Sequence, residues 1–223
     1  MATYTALMLL ALAVAVASLD LHSLVKNPDL APFQDPSRFI WTNSSVYLLR
    51  VSVPTGTKQN ISEIPIPCVR SQYWSNTTGI TERSLDVYNK TNHSDYRSTN
   101  ISLTKEEGEE NWQTFLKVHH ENKEFVIMNL TDGTKIAMSA TLNYTFLVLF
   151  SDANCLILAN TLKTESAQRP WLRCSMWLTE SRITKPPKCC QFIFDLLCAY
   201  NVETVDVFDK KCLNGASKKS KSA

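Results

Sequence analysis

Tyr144-Thr145-Phe146-Leu147-Val148-Leu149-Phe150 is followed by Ser151-Asp152-Ala153-Asn154 and then by Cys155-Leu156-Ile157-Leu158-Ala159-Asn160-Thr161-Leu162. Two short runs of aliphatic, aromatic and β-branched residues, joined by four small or polar ones, predict consecutive strands linked by a turn. The same grammar recurs upstream. Val46 to Val53 is a similar run that stops at Pro54-Thr55-Gly56, and others span Cys68 to Trp74, Ser84 to Tyr88 and Thr114 to His120. Phe125 to Asn129 and Lys135 to Thr141 flank a further turn signal, Asp132-Gly133. About eight short strands with polar connections predict an all-β sandwich or up-and-down barrel.

The last third changes period. After Pro186-Pro187, the segment from Cys189 to Tyr200 places Phe192, Ile193, Leu196, Leu197 and Tyr200 at helical spacing, which predicts one amphipathic C-terminal helix. Its apolar face needs a partner, and the outer wall of a barrel is available. At the other end, three prolines between Pro28 and Pro36 leave room only for a short helix or turn before Phe39-Ile40-Trp41.

Of the 223 residues, 44% are hydrophobic and 20% charged, which supplies one packed core and excludes collagen, coiled coil and bulk disorder. The 23 basic and 21 acidic residues leave a net charge of +2, and Lys218, Lys219 and Lys221 sit together in a Ser/Lys/Ala tail. A nucleic-acid partner is therefore not expected, because phosphate recognition needs a clustered basic face.

Met1 to Ala17 contains the apolar stretch Leu7 to Ala17 and ends in small residues of Ala-x-Ala type, the pattern of a secretory signal peptide. No later run reaches the roughly 18 apolar residues of a membrane span. The expected organisation is a signal peptide over 1–18, one domain over 19–213 and a flexible Lys/Ser tail over 214–223. Asn-x-Ser/Thr sequons at Asn43, Asn60, Asn76, Asn89, Asn92, Asn100, Asn129 and Asn143 predict a glycosylated extracellular surface.

All seven cysteines, Cys68, Cys155, Cys174, Cys189, Cys190, Cys198 and Cys212, lie beyond the signal, in a compartment where disulfides persist. Nine helical residues separate Cys189 from Cys198 by about 13.5 Å, too far for a bridge. A third bridge would involve Cys174, with Cys198 a candidate partner, and the odd count leaves one thiol unpaired or intermolecular. No paired Cys-x-x-Cys or His-x₃-His elements occur, so neither a metal nor a cofactor is expected.

Four segments carry a family resemblance: Ser151-Asp152-Ala153-Asn154-Cys155-Leu156-Ile157; Met176-Trp177-Leu178-Thr179-Glu180-Ser181; Pro187-Lys188-Cys189-Cys190-Gln191-Phe192-Ile193-Phe194; and Val207-Phe208-Asp209-Lys210-Lys211-Cys212-Leu213. In order and spacing they resemble the secreted salivary lipocalins of ticks, the histamine-binding family. The resemblance implies an eight-stranded antiparallel lipocalin barrel with the C-terminal helix packed outside, and disulfides joining Cys68 with Cys212 and Cys155 with Cys190. It also implies a non-catalytic scavenger that removes a small host inflammatory mediator at the feeding site. The broader Gly-x-Trp signature has Phe39 in place of its glycine, so a barrel-closing role for Trp41 is an expectation only.

Amine-binding relatives show an acid or Cys before an aliphatic residue, then Glu-Leu-Trp, then a later Cys. Cys155-Leu156, Trp177 and Cys190 match, while Ser175-Met176 replace Glu-Leu, and Phe146 and Leu156 stand where such relatives carry further acids. A buried ammonium needs a carboxylate or aromatic face to replace its hydration. Trp41, Tyr144, Phe146, Ser175 and Trp177 are the expected ligand contacts. Histamine or serotonin is the family default. An eicosanoid is the alternative, for whose carboxylate Arg50, Lys117, His119 and Arg173 are the basic candidates.

No Gly-x-Ser-x-Gly elbow, phosphate-binding glycine loop or His-Glu-x-x-His occurs, and five glycines leave little material for such loops, so an enzyme is not expected. His119-His120 point to opposite faces of a strand and read as an exposed polar pair. Glu106-Glu107-Gly108-Glu109-Glu110 reads as a solvated turn. A host protein bound through exposed loops is a further partner class, and a monomer is expected.

Overall fold

Val46 to Val53 is apolar on both faces, and the structure, a computed structural model, buries both. It describes residues 32–53, 66–91, 95–108, 113–120, 124–129, 135–139, 144–160, 173–199 and 202–214. Strand β1 (Val46–Val53) directs Val46, Leu48, Val51 and Val53 inward, while Tyr47 and Leu49 pack against an outer layer. Alternation would put Leu48 and Val51 on opposite faces; an irregularity between Leu48 and Arg50 in its pairing with the strand Cys174–Thr179 resets the phase.

Eight strands close around that interior. β1 pairs with β2 (Cys68–Ser71), β2 with β4 (Ile80–Tyr88), β4 with β5 (Arg97–Glu107) and β5 with β6 (Thr114–His120). The ring continues through β9 (Tyr144–Ser151), β10 (Cys155–Asn160) and β11 (Cys174–Thr179), whose Trp177 and Ser175 return to Leu48 and Val51 of β1. Every one of these pairings is antiparallel. The result is a closed lipocalin-type barrel without a free sheet edge. β3 (Tyr73–Thr77) continues β2 along β4. Beyond Tyr47, where β2 leaves β1, the strand β12 (Glu203–Asp206) pairs with Arg50–Val53.

The expected number of barrel strands is found, but two of its members differ. β7 (Glu124–Asn129) and β8 (Lys135–Ser139), both anticipated as strands, form a separate two-stranded sheet. The chain passes through them between β6 and β9, which pair directly through Val118 and Tyr144. Their places in the barrel belong to β5 and β11. β5 escapes a search for apolar runs because only Thr99, Ile101 and Leu103 are buried in an otherwise polar strand. β11 alternates buried and half-buried residues in just six positions. Thr161 and Leu162, expected to extend β10, lie outside the described residues.

Short helix α1 (Ser37–Ile40) inserts Phe39 and Ile40 into one end of the barrel. After β11 come the turn α2 (Glu180–Ile183) and helix α3 (Lys188–Cys198), and α4 (Lys211–Asn214) follows β12. α3 confirms the expected C-terminal helix and, through Ile193, Leu196 and Leu197, part of its expected apolar face, but not Phe192, while Tyr200 lies outside the described residues. Cys190, Phe194, Leu197 and Cys198 face the barrel, Ile193 and Leu196 are half-buried, and Phe192 is 65% exposed. The cause is covalent: bridges Cys155–Cys190 and Cys174–Cys198 draw that stripe against β10 and β11. Cys68–Cys212 ties α4 to β2. Cys189 is the free, exposed thiol among the described residues.

Two apolar cores result, one inside the barrel and one between its wall and α3 with the C-terminal segment. The second also holds a buried ion pair, Arg70 Nη2 to Asp86 Oδ2 at 2.9 Å, with Ser98 Oγ donating to Asp86. Nearby, Tyr88 Oη donates to the Cys212 carbonyl at 2.7 Å. No helix among the described residues is long and apolar enough to cross a membrane.

Candidate functional site

Alternation on each barrel strand decides which side chains reach the lumen. β5 contributes Ile101 and Leu103, β6 Leu116 and Val118, and β10 Leu156 and Leu158. Together with β1 and the plug residues Phe39 and Ile40 they line a cavity of about 220 Å³. That is roughly seven waters' share of liquid volume, and somewhat smaller than the ~300–1,000 Å³ of pockets for drug-sized ligands. The lumen is therefore incompletely filled by the protein's own side chains, and its open part suits one compact or slender molecule.

Tyr144, Phe146, Ser175 and Trp177, four of the five expected contacts, are brought together on this lining. Tyr144 and Phe146 lie two apart on β9 with stacked rings, centroids 6.3 Å apart. On β11, Trp177 Nε1 donates to Ser175 Oγ at 3.2 Å, so the residue standing in place of an acid is engaged with its own neighbour. Trp41 is elsewhere. It caps α1, is 49% exposed and does not line the cavity. With Phe39 and Ile40 turned into the barrel end, the next residue of the turn points outward.

The four basic candidates also lie elsewhere. Arg50 faces outward and binds Asp206 at 2.6 Å, and Lys117 binds Glu106 at 2.8 Å across the outer face. His119 is exposed, and Arg173 precedes β11 without joining the lining. Among the described residues, the cationic group in the lining is Arg83, which the sequence reading passed over although its phase with Leu85 and Val87 on β4 marks it as inward. Arg83 is 2% exposed. Its Nε donates to Ser71 Oγ, Nη1 to the carbonyls of Ile40 and Thr42, and Nη2 to those of Ser44 and Ser71, at 2.9 to 3.2 Å. All five N–H groups are thus used on neutral acceptors, and they fasten the segment after α1 across the barrel floor.

Burial pulls the Arg83 guanidinium down to about 10, with the nearby Tyr73 acting in the opposite direction. It remains charged at neutral pH. The folded value lies below that of the free side chain, so this burial opposes folding up to about pH 10 and is relieved as pH rises further. Among the described residues the lining contains no carboxylate.

His120 departs from the expected exposed pair. The two histidines do face opposite ways, but His120 is 2% exposed because it continues the inward face of Leu116 and Val118. Glu106 and Glu107 end β5 and are exposed, next to Gly108. Of the sequon asparagines, Asn43, Asn76 and Asn100 are exposed and Asn89 is half-buried, its Oδ1 accepting from Thr91. Asn60, Asn92 and Asn143 lie outside the described residues, as does the side chain of Asn129. Asp152, Cys189 and Cys190 form one cluster of metal-ligating residue types. Because the Cys190 sulfur is bonded to Cys155, two donors are left where a structural zinc takes four.

The chain is similar to several solved structures. Japanin from Rhipicephalus appendiculatus bound to cholesterol is 17% identical, with 77% of this chain and 96% of that chain covered and a TM-score of 0.46. A serotonin complex of AM182 is 15% identical over 76% of this chain and 85% of that one, with a TM-score of 0.44. The tryptamine complex of the amine-binding protein of Rhodnius prolixus is 13% identical over 83% and 90%, with a TM-score of 0.41. What those proteins bind is a property of those proteins. No curated protein matches the chain in sequence. The model of the tick histamine-binding protein family matches residues 24–214, and the chain belongs to that family of ligand-binding proteins, which are not enzymes.

Proposed function

We propose that the protein is a secreted, glycosylated, monomeric lipocalin of tick saliva that sequesters one small host mediator in its barrel and so suppresses defence at the feeding site. Residues 1–18 would be its signal peptide, 19–213 the binding domain and 214–223 a Lys/Ser-rich tail. The ligand has an apolar body and a neutral or anionic character, as a fatty-acid mediator of the eicosanoid kind does. One observation carries this choice: the described lining has no carboxylate and does have a buried guanidinium, Arg83. A buried ammonium would find no counter-ion there and would share the low-dielectric lumen with a like charge. An apolar body instead gains about 0.8 kcal/mol for each methylene removed from water.

The aromatic group Tyr144, Phe146 and Trp177 favours a second reading, the family's amine, held by cation–π contacts worth about 2 kcal/mol when desolvated. Calorimetric titration at neutral pH with decan-1-ol, decanoate and decylamine separates the two. The expected result is one-to-one binding of the alcohol and the acid, with the amine at least tenfold weaker. Equal or tighter amine binding would establish the second reading.

A further inference from the structure

Of the described histidines, His120 is the one turned into the barrel, and neither of its ring nitrogens has a hydrogen-bond partner among the described residues. Leaving a buried polar group unpaired is costly, and such groups in native proteins call for an explanation. The position supplies one. Val118, two residues earlier on the same face of β6, lines the cavity, so His120 stands about 7 Å further along the strand. Its ring lies 6.4 Å from that of Tyr144, which also lines the cavity. The end is roofed by apolar groups: Phe125 of β7 is buried in the interior core and Ile127 joins the cavity lining. At the opposite end Arg83 has no donor left to offer.

We infer that His120 is the polar anchor of the binding site, receiving an oxygen-bearing head group, hydroxyl or carboxylate, from an amphiphile whose apolar tail occupies the cavity toward the Arg83 floor. A neutral imidazole offers one donor and one acceptor, which a hydroxyl can match in full, and a protonated one offers two donors to a carboxylate. This inference rests on the reading of the barrel as a binder of apolar ligands and adds the orientation of the ligand and the residue that selects it.

The comparison that tests it sets decan-1-ol against 1-fluorodecane, the same chain without a hydroxyl, in competition with a fluorescent apolar probe, on wild type and His120→Leu. Removing unpaired buried nitrogens should raise the melting temperature of the ligand-free protein. It should also weaken decan-1-ol about tenfold while leaving 1-fluorodecane unchanged. His120→Met carries the same comparison should the branched side chain not be accommodated. Equal losses for both ligands, or none for the alcohol, would overturn the inference and leave the apolar cavity standing. Binding of neither ligand by wild type would remove the cavity reading as well.

Discussion

β10 and β11 have two faces that share one backbone and one pleat yet end in different states. Outward, Cys155, Ile157 and Ala159 of β10 and Cys174, Met176 and Leu178 of β11 are fully packed under α3, whose position two disulfides hold. Inward, Leu156, Leu158, Ser175 and Trp177 border open volume. Hydrophobicity is not the difference, since both faces are mostly apolar. What differs is that the chain supplies a covering helix to one side and, to the other, only the far wall of a closed ring, held away by the geometry of eight strands. The outer face is the stabilised one, and the inner face is left free to bind.

The largest expected effect is on the outer side. Cys68–Cys212 closes a loop with a sequence separation of 144, and on the chain-entropy model such a loop is worth about 5 kcal/mol. Cys68→Ala with Cys212→Ala should lower the melting temperature by roughly 10–20 °C for a domain of this size, measured by near-UV circular dichroism. A fall of only a few degrees would mean that α4 and its neighbours do not depend on this latch.

A paired truncation compares the faces directly. Leu178→Ala, in the packed layer, should cost about 4 kcal/mol, and Leu158→Ala, bordering existing space, about 2 kcal/mol, by denaturant unfolding. The reverse order would contradict the distinction. Smaller still is the effect of Ser175→Glu, which places a carboxylate on the lining where the described residues have none. It should raise decylamine affinity about tenfold, or ~1.4 kcal/mol, in the calorimeter, and unchanged affinity would count against Ser175 as a ligand contact. Smallest in stability is Leu158→Trp. It should shift unfolding by less than about 1 kcal/mol, because space is available where a packed core would be strained by 1–3 kcal/mol, and it should abolish decan-1-ol binding.

The sequence revealed these faces unequally. β1, β9 and β10 were legible because burial on both sides makes them continuous apolar runs. β5 was not, because its outer face is polar and its three inward residues are spaced apart. β7 and β8 have the composition of barrel strands, and only the direct pairing of β6 with β9 excludes them from the ring. On α3 the expected Ile193, Leu196 and Leu197 do pack against the barrel wall, whereas Phe192 is exposed, because the bridged Cys190 and Cys198 centre the buried stripe to one side of it. The pairings Cys68–Cys212 and Cys155–Cys190 came from family resemblance, as spacing alone leaves several open. Of the residues lining the cavity, Tyr144, Phe146, Ser175 and Trp177 were named from aromatic character and family resemblance. Arg83 and His120 were missed because polar residues were assumed to face solvent, although period-two phasing with Leu85 and Val118 places both inside.

The central claim is that the barrel interior is open and apolar, and an apolar cavity of sufficient size takes up xenon while staying dry. Crystals of deglycosylated, ligand-free protein under xenon pressure provide the most direct measurement. Anomalous density among Leu103, Leu116 and Leu158 is the predicted result, whereas a barrel interior without xenon, packed by its own side chains, would contradict the account.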